Sequence, residues 1–161
     1  MRARRASVAL WVAACAGLVH AAWSAYWAVG GRFLLDTVGA WAVELGRIDP
    51  LRSGIVLGAI AVVKAVAALL PVAIVRNRLP AVRWWRAVCW AGGAFLVVYG
   101  GLNVVVSSAV LVGVVRPADG YDASAMIGHA LLWDPLFVVW GAALLVALAA
   151  SRSAPRRRMA A

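Results

Sequence analysis

The chain has 161 residues, of which 65% are hydrophobic and 14% are charged, and its mean hydropathy is +0.90. A soluble domain of this length needs far more charged surface, so the composition excludes a soluble globular protein and predicts a single all-α domain of four transmembrane helices. The net charge of +10 comes from arginines in flanks and loops, which indicates contact with anionic lipid headgroups rather than with nucleic acid.

The first predicted transmembrane helix covers about residues 7–29. Its basic start and the residues before Cys15 resemble a lipoprotein signal peptide, but the apolar run continues past Cys15 to Val29. A run of about 23 residues spans a hydrocarbon core of about 30 Å, so we expect a retained helix. Cys15 and Cys89 lie in different apolar runs at different depths, and we expect no disulfide between them.

One face of this helix carries polar and aromatic side chains at helical spacing: His20, Trp23, Ser24 and Trp27. We interpret Trp23, Tyr26 and Trp27 as an interfacial aromatic belt. For His20, which lies deeper, a role in a site and a plain hydrogen bond to a neighbouring backbone both remain open. Because His20 shares its face with Ser24, we predict that it faces the bundle interior and that Trp11 faces lipid.

In the segment after Gly31, the sequence pattern predicts a short amphipathic helix on the outer membrane surface. Its apolar residues fall near helical spacing, with Glu44 and Arg47 between them: Phe33, Leu34, Val38, Trp41, Leu45 and Ile48. The second transmembrane helix, about residues 50–75, begins with Asp49 as N-cap and Pro50 as first helical residue. Lys64, the only lysine of the chain, lies at the centre of this helix.

The third predicted helix covers about residues 87–115 and carries Asn103 among small residues that favour close helix contact. The fourth covers about residues 124–150, and two interpretations of it remain open. Either one continuous helix is kinked at Pro135 with Asp134 inside the membrane, or Asp134 is the N-cap of a shorter helix that begins at Pro135. Neutralisation of Lys64 favours the continuous helix.

The distribution of the arginines predicts how the chain is oriented in the membrane. Eleven of them lie in the first five residues, in the loop between the second and third helices and in a basic cytoplasmic tail at residues 151–161, whereas the two opposite loops hold four. The positive-inside rule therefore predicts that both termini lie on the cytoplasmic side of an inner membrane.

Polar residues from all four helices are predicted to meet in one layer. Counted at about 1.5 Å per residue, His20, Lys64, Asn103 and Asp134 lie about 13 to 18 Å below the outer helix ends. His129 lies about one and a half turns above Asp134. A lone lysine at this depth costs about 3 kcal/mol, so we predict an ion pair between Lys64 and Asp134, which is either a functional site or a device that fixes helix register.

Three short segments carry a resemblance: His20–Trp23, Tyr26–Arg32, and the Trp-Asp-Pro-Leu-Phe sequence of residues 133–137. Together they resemble an uncharacterised family of small bacterial four-helix membrane proteins, known only as a domain of unknown function. The resemblance implies the four-helix architecture and implies that these positions, Trp133 included, matter to the family. It implies no activity.

Function is not specified by any motif, since the HExxH, GxSxG, P-loop and dinucleotide patterns do not occur. We predict a polar intramembrane site that binds or passes a small ligand or protons, formed by Lys64, Asp134, His20, Asn103 and His129 and supported by the aromatic residues Trp23, Tyr26, Trp27 and Trp133. No catalytic residue, metal or cofactor is predicted. The alternatives are a structural or partner-binding protein, which includes a homo-oligomer, and a membrane-embedded enzyme or haem or metal protein.

Overall fold

The computed structural model describes residues 1–76, 80 and 82–151. Arg78 and, beyond Ser151, the predicted basic tail lie outside the described residues. The described residues form helices and loops and contain no strand, as the all-α prediction requires. The helices are α1 (Arg2–Ala28), α2 (Ala40–Ile48), α3 (Pro50–Val75), α4 (Val82–Leu111) and α5 (Ala123–Ser151), with a 3₁₀ turn at Asp36–Val38 before α2. Of these, α1, α3, α4 and α5 are long and apolar enough to cross a membrane.

Local signals explain where several helices begin and end. The Asp49 carboxylate accepts a hydrogen bond from the backbone N–H of Arg52, and Pro50 is the first residue of α3, as predicted. Helix α4 ends at Leu111, although the apolar run continues to Val115, because Gly113 takes a positive φ of 77°. The N–H of Val114 then bonds to the carbonyl of Ala109 and satisfies the end of the helix.

The four long helices pack in the order α3, α1, α5, α4. Helix α1 packs against α3 and α5, and α5 packs against α4, whereas α3 and α4 share only a small contact although they follow each other in the chain. Close approach of α4 to α5 depends on small residues. A Cβ at Gly141 would lie 2.6 Å from the Gly93 carbonyl oxygen, and a Cβ at Gly100 would lie 2.7 Å from the Asp134 carbonyl oxygen.

The interior is apolar towards the ends of α3 and α5 that carry Val75 and Ser151. The buried side chains there come from α1, α3, α4 and α5: Leu10, Ala13, Ala14, Ala16, Ala68, Val72, Ile74, Cys89, Trp140, Leu144, Ala147 and Leu148. Arg86 closes this end, since its guanidinium donates to the Leu148 carbonyl oxygen at 2.9 Å and to Ser151 Oγ at 3.1 Å. A cation at the C-terminus of a helix also interacts favourably with the helix dipole.

Helix α5 is helical from end to end, so the continuous interpretation of the fourth run is the one that the structure supports. Asp134 has helical backbone angles and is not an N-cap. The turn before it, His129–Trp133, is a π-helical segment. Pro135 has no N–H and its ring would clash with the carbonyl of Leu131 in a regular helix, and the wider π turn relieves that conflict.

Candidate functional site

The π turn of α5 brings His129 and Asp134 together. Residues five apart diverge on a regular α-helix, but one extra residue in the turn makes them neighbours, as residues four apart normally are. His129 Nδ1 lies 2.6 Å from Asp134 Oδ2, and Asn103 Nδ2 donates to Asp134 Oδ1 at 3.3 Å. Asp134 is 1% exposed, whereas the His129 side chain is 27% exposed. The buried carboxylate therefore contacts one partially accessible imidazole and one amide.

The predicted ion pair between Lys64 and Asp134 is not formed. Within the described part of the chain, the ion pairs are Arg47 with Glu44 and His129 with Asp134. Lys64 instead donates to Ser24 Oγ at 3.0 Å, and its Nζ lies 5.6 Å from the centre of the Phe137 ring. The physical reason is that the two side chains face different neighbouring helices, Lys64 towards Ser24 of α1 and Asp134 towards Asn103 of α4. Lys64 lies on α3, whereas the face of α5 that carries Asp134 packs against α4.

His20 links the Lys64 side of the bundle to α5. It is buried, and its Nε2 donates to the Trp133 carbonyl oxygen at 3.0 Å, since a carbonyl can only accept. Its ring stacks on Phe137 with a centroid distance of 3.9 Å. Ser24 donates in turn to the His20 carbonyl at 3.2 Å. As predicted, His20 faces the interior, while Trp11 is half exposed.

These contacts form one polar layer across the molecule. From one side to the other it contains Lys64 of α3, Ser24 and His20 of α1, Asp134, His129 and the Trp133 carbonyl of α5, and Asn103 of α4. Each of the four long helices contributes a side chain, as the depth estimate predicted. The partners differ from the prediction, because Lys64 bonds to Ser24 of α1, whereas Asp134 bonds to Asn103 of α4 and to His129 of its own helix. This separation also argues against one metal or haem site shared by His20 and His129.

Four of the predicted aromatic residues lie directly outside this layer. Trp23, Trp27 and Trp133 contact one another edge to face or tilted, with ring centroids 5.2 to 5.9 Å apart. Trp27 is buried, so its assignment to a lipid-facing belt was wrong, and Tyr26 is the exposed member of the group. The reason is that the loop after α1 covers Trp27, whose Nε1 donates to the Phe33 carbonyl at 3.0 Å.

The same loop covers the N-terminal part of α5. Trp133 Nε1 donates to Thr37 Oγ1 at 3.0 Å, and Thr37 Oγ1 donates to the Leu34 carbonyl at 2.6 Å. The loop reaches this position through Leu34, which takes a positive φ of 60°. Gly128 leaves room for it, since a Cβ there would collide with the Thr37 backbone. Polar residues of the site are thus covered from outside by a folded loop.

Sequence reasoning missed Ser24, Phe137 and Thr37 as site residues. Ser24 follows His20 by four residues and shares its face, so the signal was present. Phe137 follows Trp133 by four residues, and together with Trp140 it forms the stripe of α5 that contacts His20. Thr37 had no comparable signal, because its position depends on the path of the loop.

Four apolar helices joined by a buried polar layer define a small multi-pass membrane protein. The chain matches the model of a protein family of unknown function, DUF3995, over residues 6–144, and it belongs to that family. The resemblance inferred from the Trp-Asp-Pro-Leu-Phe segment and its companions is thereby confirmed. No curated protein and no solved structure matches the chain.

Proposed function

We propose that this protein binds and releases a proton at the His129–Asp134 pair, inside a bacterial cytoplasmic membrane. The observation that carries the proposal is the 2.6 Å contact between His129 Nδ1 and Asp134 Oδ2, with the carboxylate buried and the imidazole partially exposed. Histidine is the side chain whose charge ordinarily changes near neutral pH, so it suits a proton exchanged with the surroundings. The proton enters and leaves through His129, and the Asp134 carboxylate stabilises the positive charge that the imidazole gains.

The chemistry follows from the three groups in contact. Asn103 donates to one carboxylate oxygen, so the other oxygen and His129 Nδ1 share a proton. A second proton on the outward Nε2 of His129 changes the charge of the pair from negative to neutral overall. A charge in the low-dielectric interior is costly, so gain or loss of this proton changes the stability of the local structure. His129 is the first residue of the π turn and Asp134 follows its last residue. The π turn is therefore the part of the structure that is expected to change when the proton binds or leaves.

The groups that face the pair from neighbouring elements are few. Helix α4 contributes Asn103, and α1 contributes His20, which bonds to the adjacent Trp133 carbonyl. Helix α3 contributes Lys64 on the far side of Phe137, and the outer loop contributes the neutral Thr37 and the exposed Asp36. The charged groups among these are Lys64 and Asp36, and neither forms an ion pair with His129 or Asp134.

The interior favours binding of a proton over its passage. A proton path needs an unbroken series of hydrogen-bonding groups, but the core beyond the polar layer is filled by side chains such as Ala13, Ala68 and Leu144. A structural role is the second candidate, and the observation that favours it is that the polar layer joins all four long helices by hydrogen bonds. In that case the layer fixes helix register and its protonation has no consequence.

Infrared difference spectroscopy of the protein in liposomes tests the proton site. When the pH is changed between about 5 and 8, the range in which histidine ordinarily titrates, the spectrum is expected to contain a carboxyl or carboxylate band that Asp134→Asn removes. His129→Gln is expected to abolish or displace the same band. Asp36→Asn, in the exposed 3₁₀ turn, is the matched control and should leave the band unchanged. A spectrum in which Asp134 does not respond to pH and His129→Gln changes nothing contradicts the proposal.

The orientation belongs to the same proposal. Both termini are cytoplasmic and α2 lies on the outer membrane surface, supported by the arginine distribution and by exposed Trp41 and Ile48 beside the charged pair Glu44–Arg47. We expect a reporter that is active only outside the cytoplasm to be active when fused near Glu44 and silent when fused at Ala161. Activity at Ala161 would overturn this topology and would place His129 on the cytoplasmic side.

A further inference from the structure

Lys64 lies near the middle of α3. The groups that contact it are neutral: Ser24 Oγ and the Phe137 ring. No carboxylate of the described residues lies within ion-pair distance of its ammonium group. An ammonium group has three N–H donors, and Ser24 uses one of them. A cation at this depth costs about 3 kcal/mol, so the remaining donors favour an anionic acceptor.

The position of Phe137 indicates how such an acceptor reaches Lys64. The Phe137 ring contacts His20 of α1, Lys64 of α3 and Tyr99 of α4, so residues of three helices surround it. A residue at such a meeting point is normally fully buried, but Phe137 keeps a part of its surface exposed. Helices α3 and α4 share only a small contact, and each has a residue against the Phe137 ring, so we place an opening of the bundle beside Phe137 between these helices. Tyr99 stacks on Phe95 beside the opening, and both rings are partly exposed.

We propose that the opening between α3 and α4 binds the carboxylate of a long-chain apolar acid, with Lys64 as its counter-ion and Phe137 and Tyr99 against its chain. The single positive charge matches a single negative charge, and the two free N–H donors match the two oxygens of a carboxylate. A phospholipid headgroup does not fit, because its phosphate lies at the membrane surface and Lys64 lies about mid-membrane. A long-chain carboxylate has an apolar chain that suits the hydrocarbon region and a single charge that needs only one cation there.

A photoreactive long-chain fatty acid and its methyl ester are the probes. The purified full-length protein in nanodiscs of zwitterionic lipid is expected to be labelled saturably by the acid, and at least about tenfold less by the ester, because the ester has no charge to pair with Lys64. Lys64→Met, which retains the length of the side chain, should lose the labelling to the same degree. Lys64→Arg should retain it. The acid–ester comparison uses the unaltered protein and decides the question even if a Lys64 variant does not fold.

Two controls locate the binding. Arg76→Gln removes a cation at the end of α3 and should leave labelling unchanged, whereas a loss in this variant assigns the acid to the headgroup level and overturns the proposal. Asp134→Asn should also leave labelling unchanged, so failure of the fatty-acid site and failure of the proton site give different results. Equal labelling by acid and ester, or labelling that persists in Lys64→Met, contradicts the role of Lys64.

Discussion

Replacing His129 by leucine is expected to lower the free energy of unfolding by about 3 to 5 kcal/mol, because it leaves the buried Asp134 carboxylate without its closest partner. Asp134→Leu should have a similar effect, since it removes the acceptor of both His129 and Asn103. The double variant should recover much of the loss, because a neutral pair has no charge to desolvate. The measurement is a double-mutant cycle of stability in detergent.

A second cycle distinguishes this arrangement from the ion pair predicted from sequence. Lys64→Met combined with Asp134→Leu should give losses that simply add, since the two side chains do not contact each other. A large interaction energy between Lys64 and Asp134, together with none between His129 and Asp134, would show that the polar layer is connected differently. Additive effects in both cycles would mean that Asp134 has no dominant partner.

The two glycines in the middle of α4 should respond in opposite ways to alanine. At Gly100 a Cβ would lie 2.7 Å from the Asp134 carbonyl oxygen and 3.1 Å from the Phe137 Cβ, so Gly100→Ala must push α4 away from α5. We expect a loss of about 1 to 3 kcal/mol, with the Asn103–Asp134 hydrogen bond weakened as well. At Gly101 a Cβ would meet no described atom within 4 Å, so Gly101→Ala should be neutral or stabilise by up to about 1 kcal/mol.

Thermal unfolding of the two variants side by side checks this prediction. The neighbouring pair Gly92 and Gly93 provides a repeat of the same comparison, because only Gly93 faces α5 closely. Equal effects of Gly100→Ala and Gly101→Ala would mean that α4 is rotated relative to the described arrangement.

The four long helices were predictable because hydrophobic length and helix signals act locally. Asp49 and Pro50 specify the start of α3 through their own side chains, and they occupy the expected positions. That side chains of all four long helices would meet in one layer was predictable as well, because helical rise is constant.

The partners inside the polar layer were not predictable by the same means. Depth places two charges at one level but does not say on which side of α5 each one lies, so Lys64 and Asp134 were paired wrongly. The π turn was a second reason for the wrong pairing. His129 was predicted about one and a half turns from Asp134, but the π turn brings the two side chains into direct contact. Pro135 signals a conflict in the helix, but a kink and a π turn are both solutions to it.

The outer loop was the least predictable part of the site. Its position depends on the positive φ of Leu34, a conformation that a leucine rarely adopts, and on the absence of a side chain at Gly128. The burial of Trp27 follows from this loop, which is why an aromatic belt was predicted instead. Local sequence signals do not encode contacts that a loop makes with a helix about ninety residues later.

The most direct test of the His129–Asp134 proton site is nitrogen-15 NMR of labelled histidine in the protein in lipid, because the chain has only two histidines. We predict that the ring nitrogens of His129 respond to pH, and that Asp134→Asn changes this response with its largest effect at Nδ1. His20 should keep a protonated Nε2, as its bond to the Trp133 carbonyl requires. If His129 shows no response to pH, or if its signals are the same in Asp134→Asn, the two residues do not form a proton site.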